Sequence, residues 1–389
     1  MGGERDVTVE RARELARELA PATDLELVPV PESSGRVLAA AVAAARDLPA
    51  ADVSAMDGWA VRAADTPGTL RAVGESAAGA PWERELAPGE AVAISTGGVL
   101  PPGADAVARR EVTAVEDDRV TVEAPIEPGR DLRRRGELIR DGGPLLEAGH
   151  RIAPHEVGAI GAVGLARVPC LRRPTAAVLS TGAELVPLGD PAGPAQVYDS
   201  SRHGVAAQLA AAGAEVMAVA TVGDDLDETV AALGAMLDAG IDVIVTCGGI
   251  SSGPHDHVRT AFEVLCVEEV MRGVRATPIR PTWLGRRGGQ AVLGLSGNPA
   301  SAAVALHLLG RPLVGAPEDW WRRGPISVAV PGHPERVELV RCRERRGALV
   351  PAAHQGAHAV TSLTGADALA MVPPGGVAAG EVVAYSRMA

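Results

Sequence analysis

The chain has 389 residues, 47% of them hydrophobic, and a net charge of −12 at pH 7. This length predicts two to four domains, and the acidic balance argues against nonspecific nucleic-acid binding, which requires a basic surface. The longest apolar run is too short to cross a bilayer, the N-terminus has no apolar signal core and the four cysteines form no Cys-x-x-Cys pair, so we expect a cytoplasmic protein without a membrane partner, disulfide framework or zinc ribbon.

The N-terminal part of the chain predicts two structural units. Residues 7–20 have the periodicity of an amphipathic helix, and a second apolar helix is predicted over residues 36–46. From residue 51 the pattern changes to short β-type runs separated by Gly and Pro, which predicts an inserted β domain over residues 51–140. We therefore expect residues 1–50 and 141–170 to form one discontinuous N-terminal helical domain.

Strand and helix patterns alternate over residues 171–318, which predicts an α/β domain with a mainly parallel sheet. The predicted strands are 176–180, 215–222, 242–246 and 291–295. The predicted helices are 202–212, 225–239, 257–266 and 299–310. In such a domain, ligands bind at the carboxyl ends of the strands. Residues 326–389 alternate in the manner of strands and predict a small C-terminal β domain.

Two glycine-rich turns, residues 246–259 and 294–301, are the most informative feature of the sequence. Each follows a predicted strand and leads into a predicted helix. Backbone amides exposed by small residues at the start of a helix form an anion site. Asp256 lies within the first turn and can hold a cation that the anion would share. The two turns therefore predict phosphate or oxyanion chemistry.

Acidic residues in neighbouring loops are candidate ligands for a cation. Asp224, Asp225 and Asp256, with Glu184, offer the hard oxygen atoms that suit Mg²⁺ bound to phosphate. For Asp225, an N-cap of the following helix is an equally good interpretation. His255 and His257 flank Asp256, but without a third soft ligand they are weak candidates for zinc.

Arg280 stands between Pro278 and Pro281 at the end of an apolar run. Two prolines would restrict the loop and fix the guanidinium for an oxyanion, although an ordinary strand end interrupted by prolines fits equally well. In the β domain, Asp57-Gly58 is most simply a turn on local grounds.

Several motifs together resemble the MoeA/gephyrin E-domain family of molybdopterin molybdotransferases. They occur in family order over nearly the whole chain, which makes the resemblance specific. The motifs are Ser-Ala-Met-Asp-Gly at 54–58, Ser-Thr-Gly-Gly-Val-Leu-Pro at 95–101, Arg-Arg-Arg-Gly-Glu at 133–137, Ser-Thr-Gly-Ala-Glu-Leu at 180–185, Tyr-Asp-Ser at 198–200, Gly-Gly-Ile-Ser-Ser-Gly-Pro-His-Asp at 248–256 and Gly-Asn-Pro-Ala-Ser at 297–301.

The resemblance implies an elongated homodimer of four-domain subunits. Its α/β domain would be similar to MogA and MoaB and would face the β domain of the partner, so that the active site is shared. The implied reaction uses adenylylated molybdopterin and molybdate as substrates and releases AMP with the help of Mg²⁺. The resemblance also implies the upstream adenylyltransferase as a partner.

The family's functional residues map onto this sequence motif by motif. The resemblance implies catalytic roles for Asp57, Thr96, Glu184, Asp225 and Asp256, and metal binding by Asp224, Asp225, Asp256 and Glu184. It implies substrate binding by Gly248, Gly249, Ser251, Gly253, Ser296, Gly297, Asn298, Pro299, Ser301, Arg134, Arg135, Asp199 and Ser200. It implies molybdate binding by Arg280, Pro278, Pro281 and Ser251.

The sequence departs from the family pattern in the predicted molybdate loop. The usual Pro-Gly-Lys-Pro is Pro-Ile-Arg-Pro at 278–281; the chain has no lysine, which accounts for Arg280 but not for Ile279. If the family glycine needs a positive φ, isoleucine would be strongly disfavoured there. Ser296 and Leu138 also replace a usual proline and aspartate. One alternative is therefore a catalytically weakened relative that binds a pterin nucleotide or a partner protein. Another is a molybdopterin adenylyltransferase, against which the additional domains argue.

Overall fold

A computed structural model describes residues 3–250, 256–316 and 321–388. The chain contains two compact units. One comprises Met1–Asp24 with Arg172–Ala389, and the other comprises Leu25–Leu171.

The helices are few and short, and none in the described part of the chain is long and apolar enough to cross a membrane. In chain order they are Val9–Glu18 (α1), Glu156–Ala162 (α2), Ser200–Ala212 (α3), Leu226–Asp238 (α4), Val258–Val264 (α5), Pro299–Ala305 (α6) and Arg311–Leu313 (α7). A π-helical segment, Leu306–Gly310, joins α6 to α7.

Strands account for most of the regular structure. In chain order they are Glu4–Val7 (β1), Leu25–Pro29 (β2), Val42–Ala43 (β3), Val53–Ser54 (β4), Gly58–Val61 (β5), Gly68–Ser76 (β6), Glu90–Ile94 (β7), Ala106–Arg109 (β8), Thr113–Glu116 (β9), Arg119–Val122 (β10), Leu132–Arg133 (β11), Pro144–Leu146 (β12), Arg167–Leu171 (β13), Thr175–Thr181 (β14), Leu185–Val186 (β15), Val197–Tyr198 (β16), Glu215–Val222 (β17), Val243–Cys247 (β18), Glu268–Val274 (β19), Ala276–Thr277 (β20), Trp283–Arg287 (β21), Gln290–Leu295 (β22), Trp321–Pro325 (β23), Val337–Arg345 (β24), Ala348–Pro351 (β25), Ala368–Val372 (β26) and Val382–Arg387 (β27).

The first unit is built around a seven-stranded sheet in the order β1-β19-β21-β22-β18-β14-β17. All neighbouring strands are parallel except β21, which is antiparallel to both neighbours. Residues of α3 and α6 belong to one core cluster, and residues of α4 and α5 to a second. The predicted α/β domain, with its four strands and four helices, is confirmed, and its strands end at one edge of the sheet.

The N-terminal segment joins this sheet. Strand β1 pairs in parallel with β19, and α1 buries Val9, Ala12 and Leu15 in the core cluster of the same unit. The predicted helix over residues 7–20 is confirmed. Its grouping with residues 141–170 is wrong, because its apolar face packs against the α/β unit.

The second unit contains the predicted β domain, a six-stranded sheet in the order β8-β5-β7-β6-β10-β9. The rest of this unit is made of two-stranded pairs, β2 with β13, β3 with β12 and β4 with β11. Residues 25–50 therefore do pair with residues 141–171, as a discontinuous domain requires. However, α2 is the only α-helix in the unit's described residues, so the expectation of a helical domain is wrong.

The predicted helix over residues 36–46 is absent, because this segment is extended. The amide groups of Leu38 and Ala44 donate to the carbonyl oxygens of His150 (2.9 Å) and Gly143 (2.9 Å). Leu38 is only 1% exposed and packs with Ile152. The pairing with residues 141–171 satisfies the backbone, and this tertiary context overrides the helix propensity of an alanine-rich segment.

The C-terminal sheet has the order β20-β24-β26-β27-β23, and β25 pairs with β24. Strand β20 lies between β19 and β21 in the chain, yet it pairs in parallel with β24. The predicted C-terminal β structure is thus confirmed. Its sheet includes β20, which comes from the α/β part of the chain and directly precedes residues 278–281.

Candidate functional site

The first glycine turn requires glycine for steric reasons. Gly248 (φ +99°) and Gly249 (φ +64°) follow β18. A Cβ atom would lie 2.8 Å from the carbonyl oxygen of Thr181 at the first position, and 2.6 Å from Cγ2 of Val258 at the second. No other residue type fits both the φ angles and these contacts. The backbone of the turn is therefore not covered by side chains at these two positions, which lie at the carboxyl end of the sheet.

The second glycine turn touches the first. A Cβ atom at Gly297 would lie 3.5 Å from Cα of Gly248, and the Gly248 amide donates to the carbonyl oxygen of Leu295 (2.9 Å). Asn298 occupies the N-cap position of α6, its side chain makes no capping hydrogen bond and Pro299 is the first helical residue. The structure thus brings the two turns together. Ser251, Gly253 and His255 lie outside the described residues.

Two of the predicted metal ligands, Asp224 and Asp225, accept hydrogen bonds from backbone amides. Asp225 caps α4 by accepting a hydrogen bond from the Glu228 amide (2.9 Å), which confirms the N-cap interpretation. Asp224 accepts a long hydrogen bond from the Ala183 amide (3.4 Å), so it lies beside the loop that carries Glu184. No group of three or more His, Cys, Asp or Glu residues suited to a metal is present in the described residues.

Asp256 and His257 immediately precede α5. Asp256 is half-buried. His257 occupies the N-cap position of this helix, but its side chain makes no capping hydrogen bond.

Asp199 has a buried structural role. Its carboxylate accepts hydrogen bonds from the hydroxyl groups of Ser180 (3.1 Å) and Thr221 (2.9 Å). It also lies 3.2 Å from Nε of Arg202. Because Asp199 is only 2% exposed, it joins the ends of β14 and β17 to α3 rather than facing a ligand. Ser200, the next residue, is exposed.

Ser301 is hydrogen-bonded to the predicted molybdate loop, residues 278–281. It is 1% exposed, and its hydroxyl donates to the carbonyl oxygen of Pro278 (2.7 Å). Ile279 is also 1% exposed and packs in the core of the unit. Its φ is not positive, so the steric conflict expected for isoleucine at this position does not arise.

Arg280 points to the surface of the same loop. Its Nε atom lies 3.8 Å from the carboxylate of Asp6, and more than half of its side chain is exposed. Arg280 and Pro281 line an open cleft of about 500 Å³ that is also lined by Ile250, the residue after Gly249. An exposed guanidinium therefore stands next to the glycine turns.

Arg341 on β24 was missed by the sequence interpretation. It is fully buried, donates to Ser362 (2.9 Å) and to the carbonyl oxygen of Gly356 (3.1 Å), and has no carboxylate partner among the described residues. Burial lowers its pKa. The carbonyl oxygen of the next residue, Ala357, accepts a hydrogen bond from the Ser301 amide (3.1 Å). Arg341 therefore holds the segment of residues 356–357 that contacts Ser301. An arginine alternating with apolar residues in a strand gave no sequence signal.

In the second unit, the structure brings Asp57 and Thr96 together. The carboxylate of Asp57 accepts hydrogen bonds from the amide (2.6 Å) and the hydroxyl (2.9 Å) of Thr96. These two hydrogen bonds, with the charge of Arg110, lower the pKa of Asp57. Gly58 is needed here because a Cβ atom would lie 2.0 Å from the carbonyl oxygen of Ala108. Asp57 is therefore held ionised and exposed.

Arg134 and Arg135 form ion pairs within the same unit. Arg134 donates to Asp52 (2.6 Å), which also accepts from the Arg135 amide (2.8 Å), and the Arg135 guanidinium pairs with Asp47. Backbone and arginine hydrogen bonds lower the pKa of both aspartates. Both arginines remain exposed, so these pairs hold the segment while leaving part of each guanidinium accessible.

Models of known families match three consecutive segments of the chain. The MoeA N-terminal region (domain I and II) matches residues 7–164, a probable molybdopterin binding domain matches residues 177–316 and the MoeA C-terminal region (domain IV) matches residues 323–387. Together they span the α/β site and both flanking β structures.

Curated relatives and solved structures agree with these matches. Molybdopterin molybdenumtransferase 2 from Mycobacterium tuberculosis is 37% identical over 77% of this chain and 76% of its own length. Molybdopterin molybdenumtransferase from Haemophilus influenzae is 32% identical over 83% and 81%. A crystal structure of the molybdopterin biosynthesis MoeA protein from Pyrococcus horikoshii superposes with a TM-score of 0.84, at 29% identity and 98% coverage of both chains. The chain belongs to the MoeA family.

Proposed function

We propose that this chain is a molybdopterin molybdenumtransferase of molybdenum cofactor biosynthesis. It takes adenylylated molybdopterin and molybdate as substrates, releases AMP and transfers molybdenum to the dithiolene of the pterin, in the cytoplasm. The observation that carries this proposal is the contact between the two glycine turns at the carboxyl edge of the sheet.

The glycine turns would hold the phosphate of the substrate. Gly248 and Gly249 present bare backbone because a side chain would collide with Thr181 or Val258. Asn298 adds a side-chain amide with no capping hydrogen bond at the start of α6. Backbone amides at such a turn stabilise a phosphate without charged side chains, as an acidic protein requires.

The carboxylates fit a magnesium ion of the kind that bridges substrate phosphates. Such an ion needs only one or two protein carboxylates, the rest of its coordination being water and phosphate. Asp224 and Glu184 lie on adjacent, exposed loops, and Asp256 belongs to the first glycine turn. When bound, Mg²⁺ would neutralise charge on the phosphoanhydride. Asp225 caps α4 and thereby fixes the loop that presents Asp224.

The loop of residues 278–281 would receive molybdate. Arg280 offers an exposed guanidinium beside the glycine turns. Ser301 acts as a positioning residue, because its buried hydroxyl donates to the carbonyl oxygen of Pro278. Arg341 acts indirectly: it donates to the carbonyl oxygen of Gly356, next to Ala357, which accepts from the Ser301 amide. The oxyanion would thus meet an exposed cation next to the phosphate, which is the proximity that the transfer requires.

A homodimer with a shared active site completes the proposal. The β domain of the partner would supply the Asp57–Thr96 pair, whose ionised carboxylate lies on the surface. An exposed apolar surface is consistent with an interface to a second copy of the chain. Leu25 and Leu171 are 54% and 38% exposed and are paired with each other in the β2–β13 ladder. Leu27, two residues further, is 58% exposed.

The alternative of a catalytically weakened relative was motivated by the loop of residues 278–281, in which Ile279 replaces the family glycine. Because its φ is not positive and its side chain is buried, the loop can adopt its conformation without strain. No observation favours an adenylyltransferase over the proposed reaction.

Single-turnover AMP release tests the proposal directly. Purified protein is mixed with adenylylated molybdopterin, Mg²⁺ and molybdate, and AMP is quantified by chromatography. We expect Asp256→Asn to abolish release without loss of the dimer, and Asp227→Asn, an exposed residue of the same sheet edge in the first turn of α4, to leave it unchanged. Normal release by Asp256→Asn would remove this carboxylate from the reaction.

A further inference from the structure

The cleft beside the glycine turns carries an excess of positive charge. Four arginines line it (Arg5, Arg259, Arg272 and Arg280), and we refer to it below as the arginine cleft. One carboxylate, that of Asp6, also lines it. This arrangement is unexpected on a chain whose net charge is −12.

The sheet register places two of these cations side by side. Arg5 of β1 is the direct partner of Arg272 on the parallel strand β19. Like charges at paired positions of a sheet are destabilising unless a counter-charge lies between them. Arg5 makes no ion pair with any described residue. The carboxylate nearest to Arg272, that of Glu269, lies 4.0 Å away and accepts a hydrogen bond from Trp283.

The bulky apolar side chains of Trp283 and Ile250 also line the cleft. Trp283 is the sheet neighbour of Arg272 and stacks on Phe262 of α5, with ring centroids 4.5 Å apart. Ile250, which follows Gly249 in the first glycine turn, contributes to the same lining. Arg5, Arg272 and Arg259 project from β1, β19 and α5, whereas Arg280 lies on the loop of residues 278–281.

The size of the cleft favours a ligand larger than a simple oxyanion. Its volume is about 500 Å³, which falls in the range of roughly 300–1,000 Å³ typical of sites for small organic ligands. A tetrahedral oxyanion would fill a small part of it. Several arginines around an open volume suit a phosphate group attached to an organic body.

We propose that the arginine cleft binds a phosphate ester of mononucleotide size, with Arg5 and Arg272 as its phosphate contacts. This inference deepens the proposed function and rests on it, since AMP is the mononucleotide that the reaction releases. It assigns a binding role to the N-terminal strand β1, which lies far in sequence from the glycine turns.

Calorimetric titration with AMP, adenosine and inorganic phosphate tests the cleft without any turnover. We expect Arg5→Gln and Arg272→Gln each to raise the dissociation constant of AMP about ten-fold, the usual cost of losing one charge-assisted hydrogen bond. The matched control is Arg286→Gln, an exposed arginine on β21 that pairs with Glu268 outside the cleft. Circular dichroism and thermal midpoints check that each variant is folded.

Asp6→Asn provides a gain of affinity that misfolding cannot mimic. Asp6 lies 3.8 Å from Arg280 and has φ +46°, a conformation that asparagine also tolerates. Removing its charge should tighten AMP binding by about three-fold.

Three results would overturn the inference. AMP affinity could be unchanged in both arginine variants, adenosine could bind as tightly as AMP, or inorganic phosphate could match AMP. Loss of AMP binding in the arginine variants combined with no molybdate-dependent turnover in the wild type would instead contradict only the proposed function.

Discussion

Substitution of Gly248 by alanine tests the steric basis of the glycine turn. The Cβ atom would lie 2.8 Å from the carbonyl oxygen and 2.9 Å from the hydroxyl oxygen of Thr181, and the backbone would keep φ +99°. Backbone strain costs about 1–3 kcal/mol, and a forced contact with neighbouring atoms adds about 1–3 kcal/mol. We therefore expect Gly248→Ala to lower the free energy of unfolding by about 3–4 kcal/mol.

Gly240→Ala is the matched control for this prediction. Gly240 also has a positive φ, +73°, but a Cβ atom there would meet nothing within 4 Å. Its substitution should cost only the backbone term, about 1–2 kcal/mol. The difference between the two variants, about 2 kcal/mol, measures the close approach of the turn to Thr181.

Differential scanning calorimetry of both variants gives this difference. For a domain of this size, 2 kcal/mol corresponds to a difference of about 4–8 °C in the midpoint of the transition. Binding of adenylylated molybdopterin is measured in parallel, because a turn that shifts to relieve the contact would lose its site for the substrate phosphate instead of stability. Equal midpoints together with unchanged binding of adenylylated molybdopterin in Gly248→Ala would refute the steric argument.

Three further predictions concern buried or hydrogen-bonded groups. Ser301→Ala removes the donor to the buried Pro278 carbonyl, so we expect a loss of about 1–3 kcal/mol of stability and a raised molybdate requirement in AMP-release assays. Burial lowers the pKa of His307 to about 3. As the pH drops from 6.5 towards 3, the unfolded chain therefore binds a proton on this histidine that the folded chain does not, and stability falls. His307→Asn should show a shallower fall in thermal midpoints over this pH range. Thr96→Val should raise the lowered pKa of Asp57 towards its ordinary value, as carboxyl NMR titration would show; an unchanged pKa would contradict the hydrogen-bond assignment.

The α/β part of the fold was predictable because its pattern is local. Each buried strand is a short apolar run followed by a turn rich in Gly or Asp, and the parallel sheet brings these turns to one edge. The contact between Gly248 and Gly297 follows from that topology. The domain boundaries at 51–140, 171–318 and 326–389 remain predictions.

Features that depend on distant partners were not predictable. Residues 36–46 are rich in alanine, and only their pairing with residues 141–171 makes them extended. The same limit applies to Arg5, which reaches the cleft because β1 pairs with β19.

Ile279 illustrates how a family comparison can mislead. The expected conflict assumed that a glycine in the family pattern marks a positive φ. In this chain the isoleucine side chain fills the core instead, while Thr282 donates to its carbonyl oxygen (2.7 Å). The loop is therefore held by packing and hydrogen bonds that the local sequence does not reveal.

The most direct test of the account is AMP release from adenylylated molybdopterin across a molybdate titration, with Mg²⁺ and folded wild-type protein. We expect that release rises with molybdate and saturates, and that Arg280→Ala shifts the half-saturating molybdate concentration upwards more than it weakens AMP binding. AMP release that is absent at every molybdate concentration, with the substrate still bound, would contradict the central claim.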